Sequence, residues 1–271
     1  MSFDNSIILF GGGRMGSAML RGWLAGGGVS PATVTVIDPM PTDELLAFAA
    51  DAGFALNRPP VAASGQTVVL AVKPQKVGEL ADTLGALVQG DTLVLSIMAG
   101  KTLADLAQLC PGAGAIVRAM PNLPAAVGAG ATVGVVSQGA TIEQRAVAEK
   151  MLGSTGAFEW LEDESMIDAA TGLSGSGPAY LFYLADCLTD AGIKAGLPLA
   201  ISERLARATI AGAGEMLRVS EKSATELRRD VTSPAGTTEA GLKVLMKDDL
   251  LQDLVTATVR AAADRARELA G

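Results

Sequence analysis

The 271-residue sequence contains no histidine. That excludes every Ser-His-Asp or Cys-His arrangement and every histidine-ligated metal site. Its two cysteines, Cys110 and Cys187, make no disulfide framework. They fit a reducing compartment and read as small buried apolar residues. Two distant thiols give a thiolate metal site little support, so no metal is expected. Aromatic residues make up only 4% of the chain against 49% hydrophobic overall, so the packing is of small aliphatic side chains. Positive charge is short: 21 Lys and Arg against 29 Asp and Glu leave a formal charge of −8. That argues against a nucleic acid or a membrane surface as partner. No stretch approaches the roughly eighteen apolar residues of a membrane span. The opening residues Met1-Ser2-Phe3-Asp4-Asn5 lack a basic region, so no secretory leader is read and a cytoplasmic location is expected.

What is present alternates. Residues 6–10, 33–37, 67–71, 92–97 and 115–118 are short, mostly β-branched-rich runs of strand length. Between them, 15–25, 42–52, 75–87 and 103–109 have helical length and apolar spacing. Such alternation predicts a parallel sheet with right-handed crossovers. Residues 131–136 and 157–161 read as two more strands flanking a helix near 142–152. After about Glu162 strand-like runs stop, and helices are expected over 165–191, 198–220, 223–231, 237–246 and 250–269. The predicted fold is therefore α/β: a Rossmann-type doubly wound sheet over 1–162, then an all-helical domain over 163–271. Length allows two cores, and with no repeat or low-complexity tail the whole chain should fold. Residues 206–213 and 254–263 are apolar around most of their circumference, which calls for cover by a second subunit.

Gly11-Gly12-Gly13-Arg14-Met15-Gly16 matches GxGxxG. Alone this is weak, since 32 glycines in 271 residues give roughly 0.4 chance matches. Its place gives it strength, because it follows the first strand and opens the first helix. There Gly11 can turn tightly, Gly13 can admit a pyrophosphate and Gly16 can pack helix on strand. A nicotinamide dinucleotide also suits a chain without histidine, because the cofactor carries the reactive group.

Asp38 ends the second strand, where an acid holds the adenosine ribose hydroxyls. The alternative is an ordinary turn residue before Pro39. Facing a ribose, Asp38 would repel a 2′-phosphate, and only Arg14 or Arg58 could swing in to offset it. Ala71-Val72-Lys73-Pro74 follows the third central strand at the carboxyl edge, so Lys73 is a cofactor contact or a solvated loop lysine. Ser96-Ile97-Met98-Ala99-Gly100 holds the same place one strand on, with small residues that let backbone approach the nicotinamide. Arg118-Ala119-Met120-Pro121-Asn122 is either a proline-broken turn or part of a site.

In the helical half, Gly172-Leu173-Ser174-Gly175-Ser176-Gly177-Pro178-Ala179-Tyr180 interrupts a helical stretch. Within a regular helix each glycine would cost roughly 1 kcal/mol and the proline about 3. Such a breach marks a kink, or a surface that a backbone or ligand must approach. Thr232-Ser233-Pro234-Ala235-Gly236-Thr237-Thr238 leads into a further helix. It can be a carboxylate site of free N–H groups and hydroxyls, or plain N-capping by Ser233 or Thr237.

Together these stretches resemble the pyrroline-5-carboxylate reductase family. GGGxMG, AVKPQ, SIMAGK, RAMPN, TGLSGSGPAY and TSPAGTT occur in its order and spacing, from about Ile7 to Leu269. The resemblance implies a dinucleotide-binding domain joined to a helical dimerisation domain, with NADH or NADPH reducing a cyclic imine to L-proline. It implies cofactor contacts at Phe10, Gly11, Gly12, Gly13, Arg14, Met15, Asp38, Asn57, Ala71, Val72, Lys73, Pro74, Ile97, Met98 and Ala99. It implies substrate contacts at Glu221, Ser233, Thr237 and Thr238, the last three meeting the carboxylate or ring nitrogen near a neighbouring subunit's cofactor. Thr238 is the candidate catalytic residue, a positioner and not an acid. A homo-oligomer with the dimer as minimal unit follows, and Asp38 makes NADH the expected preference. Ala235 stands where the family has glycine, Leu123 departs from MPNTP, and Arg229 replaces an aspartate; none removes a group the chemistry requires. The rival readings are another imine reductase, a β-hydroxyacid dehydrogenase or a non-catalytic dinucleotide-binding protein. A β-hydroxyacid dehydrogenase wants a helix-borne lysine, for which Lys194 is a poor substitute.

Overall fold

The computed structural model describes residues 5–270; residues 1–4, read above for a leader, lie outside the described residues. Eight strands form one sheet: β1 (Ile7–Phe10), β2 (Val34–Ile37), β3 (Ala55–Leu56), β4 (Thr67–Leu70), β5 (Leu93–Ser96), β6 (Ala115–Met120), β7 (Gly130–Val136) and β8 (Gly156–Trp160). Their order is β3-β2-β1-β4-β5-β6-β7-β8. Strand β1 lies between β2 and β4, and all four of its residues are buried. A parallel strand covered on both faces needs such an unbroken apolar run.

Alternate residues feed two cores. Ile7, Leu9, Val36 and Val117 pack with Met19, Leu20 and Trp23 of α1 (Arg14–Ala25), Leu45 of α2 (Asp43–Ala52) and Met151 of a later helix. Ile8, Phe10, Val68 and Val94 pack with Leu84 and Leu87 of α3 (Ala81–Leu87), Leu106 of α4 (Leu103–Leu109), and Cys110. Burial pushes the Cys110 thiol up to about 11, so this cysteine is the inert apolar residue expected. Met151 belongs to α5 (Ile142–Gly153), which leads into β8.

Besides the unexpected two-residue strand β3, the sheet and its connections depart from expectation in two places. Strand β7 runs antiparallel to β6, because residues 121–129 are fewer than the roughly dozen a parallel crossover needs. Residues 75–87 are not one helix: a 3-10 helix over Pro74–Leu80 precedes α3, with Gly78 weakening the segment.

The expected helix over 165–191 is three pieces. α6 (Met166–Ala170) runs into a π-helix over Thr171–Gly175, and α7 (Gly177–Lys194) follows. The Thr171 and Ser174 hydroxyls donate to the Ile167 and Ala170 carbonyls, at 2.8 and 2.9 Å. Pro178 falls in the first turn of α7, where no N–H is needed, so it ends nothing.

The described residues up to Gly175, with those from Ala262 on, form one compact unit, and residues 176–261 form a second. The second holds α7, α8 (Leu199–Val219), α9 (Ala224–Asp230), α10 (Thr237–Leu245) and the first part of α11 (Leu250–Ala270). α8 packs on α7, and a Cβ on Gly192 would stand 2.8 Å from the Ser202 hydroxyl. Among the described residues of this unit only Ser202 and Ala206 are buried. Phe182 and Tyr183 of α7 are 59% and 71% exposed, and Leu250 and Leu254 of α11 are exposed too. Cys187, expected to be buried, is exposed because its face of α7 has no cover among the described residues. No helix among the described residues is long and apolar enough to cross a membrane.

Candidate active site

From β1 the chain passes to β2 on one side, and β4 lies on the other. Connections that diverge in this way leave a crevice at the carboxyl end of β1, where open α/β sheets bind ligands. The strands from β3 to β6 are all parallel, so the expected cofactor segments emerge at one edge. Phe10 to Gly16 leave β1, Asp38 leaves β2, Asn57 leaves β3, Ala71 to Pro74 leave β4, and Ile97, Met98 and Ala99 leave β5.

Gly11 lies at φ +98°, and a Cβ there would stand 2.6 Å from the Ala71 carbonyl oxygen. Only glycine suits that turn. A Cβ on Gly16 would strike the Gly11 carbonyl, so α1 starts hard against the turn. Gly13 differs: its φ is −65°, and a Cβ would meet nothing within 4 Å. The space its side chain would fill opens beside the start of α1, which has no side-chain cap. An open helix start of this kind, with its first N–H groups as donors, suits an anion. Arg14 is exposed and Met15 half-buried at this start.

Asp38 joins its own turn to the glycine turn. One carboxylate oxygen accepts the Gly12 N–H at 2.8 Å and the other the Met40 N–H at 2.9 Å. The Asn57 side chain clasps the Asp38 backbone, donating to its carbonyl at 2.7 Å and accepting its N–H at 2.9 Å. Asn57 thus holds Asp38 beside the glycine turn. Each Asp38 oxygen keeps a further lone pair as an acceptor.

The loop after β5 is tied at several points. The Ser96 hydroxyl accepts the Met98 N–H at 3.3 Å. Gly100 lies at φ +72°, and a Cβ there would stand 2.8 Å from the Leu269 carbonyl oxygen. Thr102 caps α4 through a capping box with Asp105, and the Thr102 N–H holds the Asp105 carboxyl below its ordinary range. Next to it, the Leu103 N–H donates to Glu164 Oε1 at 2.8 Å, and the same oxygen accepts Arg118 Nη1 at 2.6 Å. Asn122 accepts the Ala131 N–H at 2.9 Å and donates to the Ser174 carbonyl at 3.0 Å, tying the end of β6 to the π-helix. Sequence reasoning left the parts played by Arg118 and Asn122 open. It missed Glu164, whose partners lie 46 and 61 positions away and leave no local signal.

In the second unit, α10 is capped by Gly236 with no side-chain hydrogen bond, so neither Ser233 nor Thr237 plays the capping role. Ser233, Thr237 and Thr238 are exposed around this open helix start. Glu221 is exposed in the turn between α8 and α9. Ala235 lies at φ +56°, with its N–H donating to Glu239 Oε2 at 2.6 Å. A left-handed alanine is strained, which is why glycine suits the position. Ala235→Gly is expected to raise stability by roughly 0.5–1 kcal/mol in chemical denaturation. A loss of stability would show that the turn accommodates the methyl group without strain.

A sheet of this order, with a glycine turn at its switch point and small-residue loops on its carboxyl edge, defines a dinucleotide-dependent oxidoreductase. Residues 6–100 match the family described as NADP oxidoreductase, coenzyme F420-dependent, and residues 164–269 match pyrroline-5-carboxylate reductase dimerisation. The chain is 36% identical over 269 residues to the pyrroline-5-carboxylate reductase of Pisum sativum, covering 99% of this chain and 97% of that one. A solved pyrroline-5-carboxylate reductase structure from Coxiella burnetii matches with a TM-score of 0.87 at 33% identity, covering 99% and 100% of the two chains. That of Plasmodium falciparum pyrroline carboxylate reductase with NADP bound matches at 0.78 and 25%, covering 100% of both. The chain belongs to the pyrroline-5-carboxylate reductase family.

Proposed function

We propose that the chain reduces the C=N bond of 1-pyrroline-5-carboxylate to give L-proline, with NADH or NADPH as hydride source. The observation that carries this reading is a pair of open helix starts in a chain without histidine. α1 begins beside the gap at Gly13, and α10 begins with Thr237 and Thr238; neither has a side-chain cap. Each start is suited to an anion: the cofactor pyrophosphate at α1, the imine carboxylate at α10.

The carboxyl edge holds the cofactor through Phe10 to Gly16, Asp38, Asn57, Ala71 to Pro74, and Ile97 to Ala99. Ser233, Thr237 and Glu221 contact the substrate. The bound dihydronicotinamide supplies the hydride that forms the new C–H bond as the C=N π bond opens. The ring nitrogen takes its proton from solvent beforehand, since a protonated imine is far more electrophilic, and donates that N–H to the Thr238 hydroxyl oxygen. The residues serve orientation, holding carbon and hydride donor at roughly 3–3.5 Å. The test is turnover of the imine with each cofactor. Cofactor binding without proline formation would favour the non-catalytic reading.

Asp38 is read as selecting NADH. Beside a ribose it faces two hydroxyls; beside a 2′-phosphate each like-charge pair costs on the order of 4 kcal/mol at about 4 Å, before relaxation and screening. Arg14 and Arg58, both exposed, can recover part of that. kcat/KM is expected to be about fivefold or more higher with NADH, and Asp38→Ser should narrow or reverse the ratio. Equal or better use of NADPH by the unaltered protein would place the carboxylate away from the ribose.

The functional halves divide near residue 162, cofactor before and substrate and assembly after. Residues 206–213 of α8 and 254–263 of α11, together with the exposed apolar face of α7, are read as subunit contacts, so the protein is at least a dimer. Its net charge of −8 and two unpaired cysteines favour a cytoplasmic protein without nucleic-acid or membrane partners. Light scattering at micromolar concentration checks this; an active monomer contradicts it.

A further inference from the structure

We infer that Arg118 and Glu164 are positioning residues for the nicotinamide half of the cofactor, acting through the loop that follows β5. The inference rests on the reading above that Ile97, Met98 and Ala99 face the nicotinamide. Neither residue is placed against the cofactor; both act through one hydrogen bond, from the Leu103 backbone N–H to Glu164.

The loop leaves the sheet at Ile97, whose N–H still donates to the Leu70 carbonyl at 3.0 Å. It returns to regular structure at α4. The capping box there satisfies the Asp105 and Thr102 N–H groups but leaves the other first-turn donors of the helix. Leu103, the first residue of α4, gives its N–H to Glu164 Oε1. That bond closes the far end of the loop onto a residue beyond β8, outside the loop's own sequence neighbourhood.

Glu164 is itself held. Its side chain is 29% exposed, so water competes for it, yet the Arg118 guanidinium fixes the same oxygen at 2.6 Å. Arg118 is in register with Ser96, the last residue of β5, so it projects from the strand beside the point where the loop begins. The Arg118 side chain is only 7% exposed. A cation so deeply buried keeps its counter-charge in place, because losing it would strand the guanidinium in a poor solvent. The buried arginine therefore pins the carboxylate, and the carboxylate pins the loop end. Both ends of the segment that faces the nicotinamide are then referred to adjacent strands of the sheet.

ADP-ribose separates this role from a merely structural one. It carries the adenosine and pyrophosphate but no nicotinamide, so its affinity reports the glycine turn and Asp38 without the β5 loop. Arg118→Met should weaken NADH and lower kcat by about tenfold, the scale at which small misplacements act, with ADP-ribose affinity held within about twofold. Glu164→Ala should do the same, and Glu164→Gln less, since the amide oxygen can still accept the Leu103 N–H. Should Glu164→Ala not fold, the double variant Arg118→Met with Glu164→Gln, which leaves no buried charge unpaired, takes its place and should show the same NADH-against-ADP-ribose split. Parallel weakening of both ligands, or unchanged NADH affinity in Arg118→Met, overturns the inference. Ala99→Trp, at an exposed loop position, tests the underlying reading separately. Weakened NADH in Ala99→Trp with normal NADH in Arg118→Met sinks the positioning pair alone. Normal NADH affinity in Ala99→Trp removes the loop from the nicotinamide and the inference with it.

Discussion

Replacing Gly13 with valine is expected to weaken NADH binding by roughly ten- to a hundredfold while leaving the chain folded, the range that 1–3 kcal/mol of overpacking implies. Both halves of that expectation come from the geometry of the turn. The backbone at Gly13 is at φ −65° and ψ −173°, an extended conformation comfortable for a β-branched residue. A Cβ there meets no protein atom within 4 Å, so the side chain would occupy only the space assigned to the pyrophosphate. Gly11 supplies the contrast. At φ +98° and 2.6 Å from the Ala71 carbonyl, a Cβ at Gly11 would damage the fold along with the binding. Titration calorimetry on folded Gly13→Val decides the matter. Affinity like that of the unaltered protein would remove Gly13 from the site.

Thr238→Ala is expected to lower kcat/KM for the imine by roughly tenfold or more, since a hydrogen bond to a charged group contributes about 1.5–3 kcal/mol. The hydroxyl sits in the first turn of α10 and, among the described residues, takes no part in any hydrogen bond. Its removal therefore leaves no buried partner stranded, and stability should hold. A loss of activity would then report on the substrate and not on the scaffold. Steady-state kinetics with both kcat and KM within about twofold of the unaltered enzyme would deny the hydroxyl its role.

Much of this was legible in the residues. The central strands could be read because parallel strands buried on both faces carry unbroken apolar runs, as in the four residues of β1. β3 could not, because two residues, Ala55 and Leu56, hold no periodicity. The antiparallel turn of β7 was written in the shortness of residues 121–129, a signal that strand composition alone does not show. The glycine pattern placed Gly11, Gly13 and Gly16 on a strand-to-helix turn, yet the difference between a crowded Gly11 and an open Gly13 exists only in three dimensions. Glu164 was invisible for a related reason: the register of β5 and β6 brings Arg118 to the β5 loop, and Glu164 arrives from beyond β8. At α10 the ambiguity was one of helix start. A start at Thr237 leaves Gly236 as the cap and the hydroxyls free, and a shift of a residue or two reverses that reading.

The near absence of a core in residues 176–261 ties the folding of this unit to mass action. With only Ser202 and Ala206 buried there, little apolar surface within the unit opposes the chain entropy of five helical segments. If a second copy supplies the missing cover, unfolding and dissociation become one equilibrium. The midpoint of denaturation then climbs with protein concentration, by about 1.4 kcal/mol of apparent stability per mole of dimer for each tenfold step. For such a chain a melting temperature quoted without a concentration is incomplete, and dilution acts on it as a mild denaturant.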